Sequence, residues 1–113
     1  MSSFGYYRFA AVTPSVRVAD VEYNVARLVS SMQAAVQGGA QVVLFPELCL
    51  TGYSCGDLFF QRRLQKAALA GLKSFAEQTA RFSRDGHSPV AVVSLPLVVQ
   101  DGLYNVAAVV QGG

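Results

Sequence analysis

One carboxylate, two thiols and a phenol fall close together at Glu47, Cys49, Tyr53 and Cys55, inside the run Val-Val-Leu-Phe-Pro-Glu-Leu-Cys-Leu-Thr-Gly-Tyr-Ser-Cys-Gly that spans Val42 to Gly56. Glu47 follows directly on a short apolar stretch ending at Pro46. A buried strand that hands an acid to its own C-terminal end is how open α/β sheets build sites. In a cleft, partial burial would raise the pKa of such a carboxylate toward working pH and suit it to general acid–base work. The same residue could also be an ordinary loop acid, or the partner of a buried cation. Cys49 would need a base to act as a nucleophile, and Glu47 two residues away shares its face if the segment is extended. A carboxylate is a poor base for a thiol, no cation stands nearby in sequence, and free cysteines are usually buried. Cys49 therefore reads as packing.

The remaining polar residues carry weaker signals. Tyr53 either packs a turn or orients a substrate through its hydroxyl, and Gly52 and Gly56 suit positive-φ positions around it. Asp57 reads as a helix N-cap. Asn105 reads as a structural residue that bonds loop backbone from a strand end. The C-x5-C spacing of Cys49 and Cys55 matches no common zinc or redox pattern. His87 is the only histidine, so neither a Ser-His-Asp triad nor a multi-histidine metal site can be assembled. No G-x-x-x-x-G-K-[ST] run is present, and no G-x-G-x-x-G follows the first strand. No metal or cofactor site is expected within the chain.

Periodicity supplies the elements that must position Glu47. Phe4 to Val12 is aromatic and β-branched, a strand ended by Thr13-Pro14. Asp20 is placed to cap a helix running to about Gln37, with Val21, Val25, Leu28, Val29, Met32 and Val36 on one face. Gly38-Gly39 supplies a left-handed stop. Gln41 to Phe45 is apolar at nearly every position, the mark of a strand covered on both faces. Strand, helix and strand make a right-handed βαβ unit. A second helix follows Asp57 and runs to about Arg81, presenting Phe60, Leu64, Ala67, Leu72, Phe75 and Thr79, with a break near Arg84 to His87. Val90 to Val99 and Leu103 to Val110 flank Gln100-Asp101-Gly102, a hairpin signal that makes the sheet mixed. The fold class is α/β, with a parallel start and an antiparallel hairpin at 90–110.

Composition bounds what such a sheet can be. Charged residues are 14% and apolar residues 52% of 113 residues, against about a quarter charged in ordinary soluble domains. A chain with so little polar surface is either membrane-bound or covered by something else. No run reaches the roughly 20 apolar residues of a spanning helix, and no secretory pattern is visible, so no membrane is expected and a cytoplasmic location is. Net charge is +2 with scattered basic residues; Arg62, Arg63 and Lys66 read as a solvated helix face, and nucleic acid is not an expected partner. Four strands with helices on one face leave the other face apolar. Self-association into a homo-oligomer is expected on that ground, and residues 1–113 are expected to be part of a domain incomplete at its C-terminus.

The residues also carry a family likeness. Phe45-Pro46-Glu47-Leu48 followed by Leu50-Thr51-Gly52-Tyr53 resembles the glutamate motif of the nitrilase, or carbon–nitrogen hydrolase, superfamily. With Cys49, Ser54 and Asp57-Leu58 added, the stretch is similar to the glutaminase domain of the glutamine-dependent NAD+ synthetases. Tyr7 to Val12 resembles that family's opening strand, Asp20 with Asn24 its first helix, and Leu103 to Val110 its Tyr-Asn strand. The resemblance implies an αββα sandwich and a Glu-Lys-Cys triad, in which the glutamate activates a cysteine that forms a thioester with the substrate acyl group. It assigns Glu47 as the general base and places Tyr53 near the glutamine pocket. The triad lysine and cysteine have no counterpart here, since Lys66, Lys73, Cys49 and Cys55 do not match their positions. The resemblance further implies glutamine as substrate, with deamido-NAD+, ATP and Mg2+ used on a separate synthetase domain. A stand-alone amidase of the same superfamily and a non-catalytic α/β module are the competing readings. Without two of the three triad members, the 113-residue chain alone is expected to show no glutaminase or ligase activity; glutamine turnover by the purified chain, followed as ammonia release, would contradict this.

Overall fold

The computed structural model describes residues 7–83 and 86–113. Strand β1 (Phe9–Ala11) leads to helix α1 (Val21–Gln37) and strand β2 (Val42–Leu44). A 3-10 turn (Gly56–Phe60), helix α2 (Arg62–Thr79) and a second 3-10 turn (Ala80–Phe82) come next, then strands β3 (Val90–Val99) and β4 (Gly102–Gln111). The sheet order is β1-β2-β3-β4. The first three strands are parallel, with Phe9, Val42 and Val90 in register, and β4 returns antiparallel to β3. The βαβ start and the hairpin are thus both present.

Local chemistry explains the boundaries, including those that differ from expectation. Asp20 caps α1 by accepting the Tyr23 N–H at 3.2 Å, which satisfies a donor that the first helical turn leaves free. The left-handed stop falls on Gly39 (φ 96°), while Gly38 has φ −79°. The first strand is shorter than the expected 4–12, and the 4–6 part of that span lies outside the described residues. Asp57 does not cap α2: it sits in the 3-10 turn, and Gln61 occupies the N-cap without a side-chain bond. The Leu-Phe-Phe segment turns tightly before the helix can propagate, which leaves Phe60 74% exposed rather than on the buried face. Arg84 and Asp85, in the expected break, lie outside the described residues. In the hairpin Gly102 already pairs with Val99, and Gln100 takes a positive φ (56°) in the turn.

The strands alternate as a half-covered sheet must. Val43, Ala91, Val93, Leu95 and Val110 point into one core with Val25, Leu28, Met32, Leu64 and Phe75 of the two helices. The register puts Phe9, Ala11, Leu44, Val92 and Val109 on the opposite face. There Phe9 is 66%, Leu44 40% and Val109 71% exposed, so β2 is covered on one face only among the described residues, not on both. No described helix is long and apolar enough to cross a membrane.

The two helices approach closely at Gly71 of α2. A Cβ built there would stand 2.4 Å from Val21 Cγ1 and 3.2 Å from Val25 Cγ2, both on α1. Alanine would gain about 1 kcal/mol of helix propensity, but the overlap with a stiff β-branched side chain costs about 1–3 kcal/mol. Gly71→Ala is expected to lower the thermal midpoint of the protein, measured by calorimetry; an unchanged or raised midpoint would mean the helices can move apart freely.

Candidate active site

The stretch after β2 is a loop folded back on the end of the sheet. Phe45 extends the parallel ladder, donating its N–H to Val92 O at 3.1 Å, and packs edge-on against Phe75 of α2 with ring centroids 6.0 Å apart. Pro46 has no N–H to continue the ladder, and the chain turns. Leu48 takes φ 53°, and its carbonyl accepts from the N–H groups of Thr51 at 3.2 Å and Gly52 at 2.7 Å. Gly52 needs its φ of 83° to reverse the chain against Val18, whose Cα would lie 3.5 Å from a Cβ at that position.

Two neighbours hold this turn. From the sheet, Ser94 of β3 accepts the Leu50 N–H at 3.3 Å and donates its own N–H to Cys49 Sγ at 3.4 Å. From the helix layer, the fully buried Asn24 of α1 donates from Nδ2 to Leu50 O at 3.0 Å and to Arg17 O at 2.8 Å. Its Oδ1 accepts the Arg17 N–H at 2.6 Å. Ala19 N–H then donates to Thr51 O at 2.8 Å, so the loops after β1 and β2 are joined. Asn24 thus gives helix α1 a positioning task besides its apolar packing.

Glu47 stands at the rim of this structure. The structure brings it together with Asn105 of β4, which donates from Nδ2 to Glu47 Oε1. Asn105 Oδ1 in turn accepts from Ser94 Oγ at 3.0 Å. Ser94 and Asn105 lie on the open face of the sheet, diagonal to each other across the β3–β4 pair. Glu47 itself is exposed, so the partial burial expected of a cleft acid is not supplied by the described residues. Tyr53, expected at a substrate pocket, is 79% exposed on the same loop. Sequence reasoning treated Asn105 as structural; its signal was an amide on a strand face otherwise given to Ala107 and Val109.

The thiols are structural. Cys49 is 2% and Cys55 6% exposed. Burial pushes the Cys49 thiol pKa up, outweighing the opposing hydrogen bonds from the Ser94, Cys49 and Leu50 backbone, so the reactive thiolate is disfavoured. Cys55 Sγ donates to Thr51 O at 3.1 Å and Gly52 O at 3.3 Å. His87 is exposed, and no group of three or more potential metal ligands exists among the described residues.

A mixed four-strand sheet with a parallel start, a crossover helix and an antiparallel hairpin defines an α/β domain. Residues 8–113 match the family model described as carbon–nitrogen hydrolase. The chain belongs to the carbon–nitrogen hydrolase family. It is 33% identical over 109 residues to the glutamine-dependent NAD(+) synthetase of Mycobacterium bovis, covering 96% of this chain and 15% of that protein. With the synthetase of Xylella fastidiosa it shares 35% over 109 residues, covering 96% and 19% respectively. The chain thus spans less than a fifth of the length of these relatives. Among solved structures, the glutamine-dependent NAD(+) synthetase of Cytophaga hutchinsonii superposes with a TM-score of 0.81 at 23% identity, over 94% of this chain and 17% of that one. An amidase from Nesterenkonia sp. superposes at 0.69 and 22% identity, over 94% and 38%. These two show the fold alone, a nitrilase-like α/β arrangement.

Replacing Asn24 by alanine would leave the Arg17 N–H and the Leu50 carbonyl without partners, while Arg17 O keeps the Asp20 N–H. The expected cost is about 2–3 kcal/mol, read as a lower denaturant midpoint at unchanged slope; a loss below about 0.5 kcal/mol would mean that water replaces the amide.

Proposed function

We propose that this chain is the N-terminal part of the glutaminase domain of a glutamine-dependent NAD+ synthetase, with Glu47 as the general base. The observation that carries this is the placement of Glu47 just beyond β2, with its carboxylate held by Asn105. The relatives matched over nearly the whole chain bear that synthetase name.

The chemistry follows from one acid used twice. Glu47 takes the proton from a cysteine thiol supplied by the rest of the domain, and the thiolate attacks the side-chain amide carbon of glutamine. The tetrahedral oxyanion is stabilised by a lysine, also supplied from beyond this chain. Glu47 then returns its proton to the departing nitrogen, the C–N bond breaks, and ammonia leaves a thioester behind. Water, deprotonated by the same carboxylate, hydrolyses the thioester to glutamate and restores the thiol. Tyr53 is assigned to the glutamine pocket. The ammonia is used on a separate synthetase domain to amidate the nicotinate carboxyl of deamido-NAD+, with ATP as activating substrate and Mg2+ bound with it. The proposal takes the enzyme to be cytoplasmic and a homo-oligomer; the open apolar sheet face supports the association. Nucleic acid has no place in it.

Glu47→Gln in the full-length enzyme keeps the shape and removes the base. Glutamine-dependent synthesis should fall about 10²–10⁴-fold, while synthesis from free ammonium salts persists, both measured as NAD+ formed. Equal loss of both activities would assign Glu47 to folding instead.

A further inference from the structure

We infer that Asn105 is a positioning residue for the base, and that Ser94 sets the orientation of its amide. The inference rests on the reading of Glu47 as general base. An ionised carboxylate can only accept hydrogen bonds, and the amide NH2 of Asn105 is a neutral donor that meets it. Asn105 thereby holds the carboxylate aimed in one direction. The amide could be turned either way by rotation about its last bond. The Ser94 hydroxyl decides it, because Oγ lies 3.0 Å from Asn105 Oδ1 and a hydroxyl donating there leaves the NH2 facing Glu47.

Ser94 is well placed for this because it is itself fixed. It is 7% exposed. Its backbone accepts from Leu50 N–H and donates to Cys49 Sγ, at 3.3 Å and 3.4 Å. One residue of β3 thereby holds the main chain of the Glu47 loop and, through Asn105, the Glu47 side chain. A change in the spacing of loop and sheet would be felt at both points. The base is therefore located relative to β3 and β4 rather than by its own flexible loop, which is what a proton transfer over hydrogen-bond distance needs.

The test uses the full-length enzyme and the pH dependence of kcat/KM for glutamine hydrolysis. Asn105→Ala removes the donor that meets the ionised carboxylate. The acidic limb should move to higher pH and kcat should fall on the order of tenfold with little change in KM. Asn105→Asp should move the limb further, since a second carboxylate adds like charge. Ser94→Ala should move it in the same direction by less, and Ser94→Thr, which keeps the hydroxyl, should restore it. An acidic limb that stays in place in Asn105→Ala, or a parallel loss of glutamine- and ammonia-dependent synthesis, would overturn the inference. Glu47→Gln measured alongside separates the two readings. If that variant still hydrolyses glutamine, the general-base reading fails and the positioning role goes with it. If it does not, and Asn105→Ala leaves the limb unmoved, the positioning role alone fails.

Discussion

A loop that folds back over the end of a sheet brings its own N–H and C=O groups out of water, and each must find a partner. Asn24 meets that demand for the two loops beside Glu47. Its amide closes hydrogen bonds to Arg17 N, Arg17 O and Leu50 O, three bonds from a side chain that is fully buried. The alternative, an apolar residue at the same helical position, would leave Arg17 N and Leu50 O orphaned, with Arg17 O still accepting from the Asp20 N–H. The conformation of the 46–52 turn, with Leu48 in the left-handed region at φ 53°, depends on this amide. Strain of about 1 kcal/mol or more at a non-glycine residue persists only where the surroundings hold it in place.

That dependence connects the layers. Helix α1 is held to α2 by the close approach at Gly71, and to the sheet by Val25, Leu28 and Met32 in the common core. Asn24 transmits the position of α1 to Leu50, and Ser94 transmits the position of β3 to the same residue. Leu50 is itself fully buried. The loop is thus pinned from both sides at one point, three residues past the acid it presents. Elements that look like scaffold, one helix face and one inner strand, set where a carboxylate stands.

Much of this was legible in the residues. Apolar spacing gave α1 to within a residue at each end, because Asp20 and the glycine pair mark it chemically, and the βαβ start and the hairpin follow from strand-like runs between turn residues. The misplaced features share a physical cause. Asp57 has the right side chain to cap α2, yet the cap position was decided by where the 3-10 turn ended, at Gln61. Phe60 fits the helical face by spacing and lies in that turn instead. Within the site, Glu47 stood out through its place after an apolar strand. Asn24 and Asn105 did not, since neither residue type at its position tells which groups it meets: Asn105, read as bonding loop backbone, bonds the Glu47 side chain.

The exposure of Glu47 and the openness of the sheet belong to one geometry. Phe9, Ala11, Leu44 and Val109 share a face, and Ser94 and Asn105, which reach Glu47, lie on that same face near the end of β3. Any body that packs on the apolar strands would close over the carboxylate too. With water excluded, the local dielectric falls and the bond from Asn105 to the carboxylate strengthens. An amide that is one partner among solvent molecules on an open face would become the partner that fixes where the carboxylate points, and a covered sheet face is what separates Glu47 from an ordinary surface glutamate.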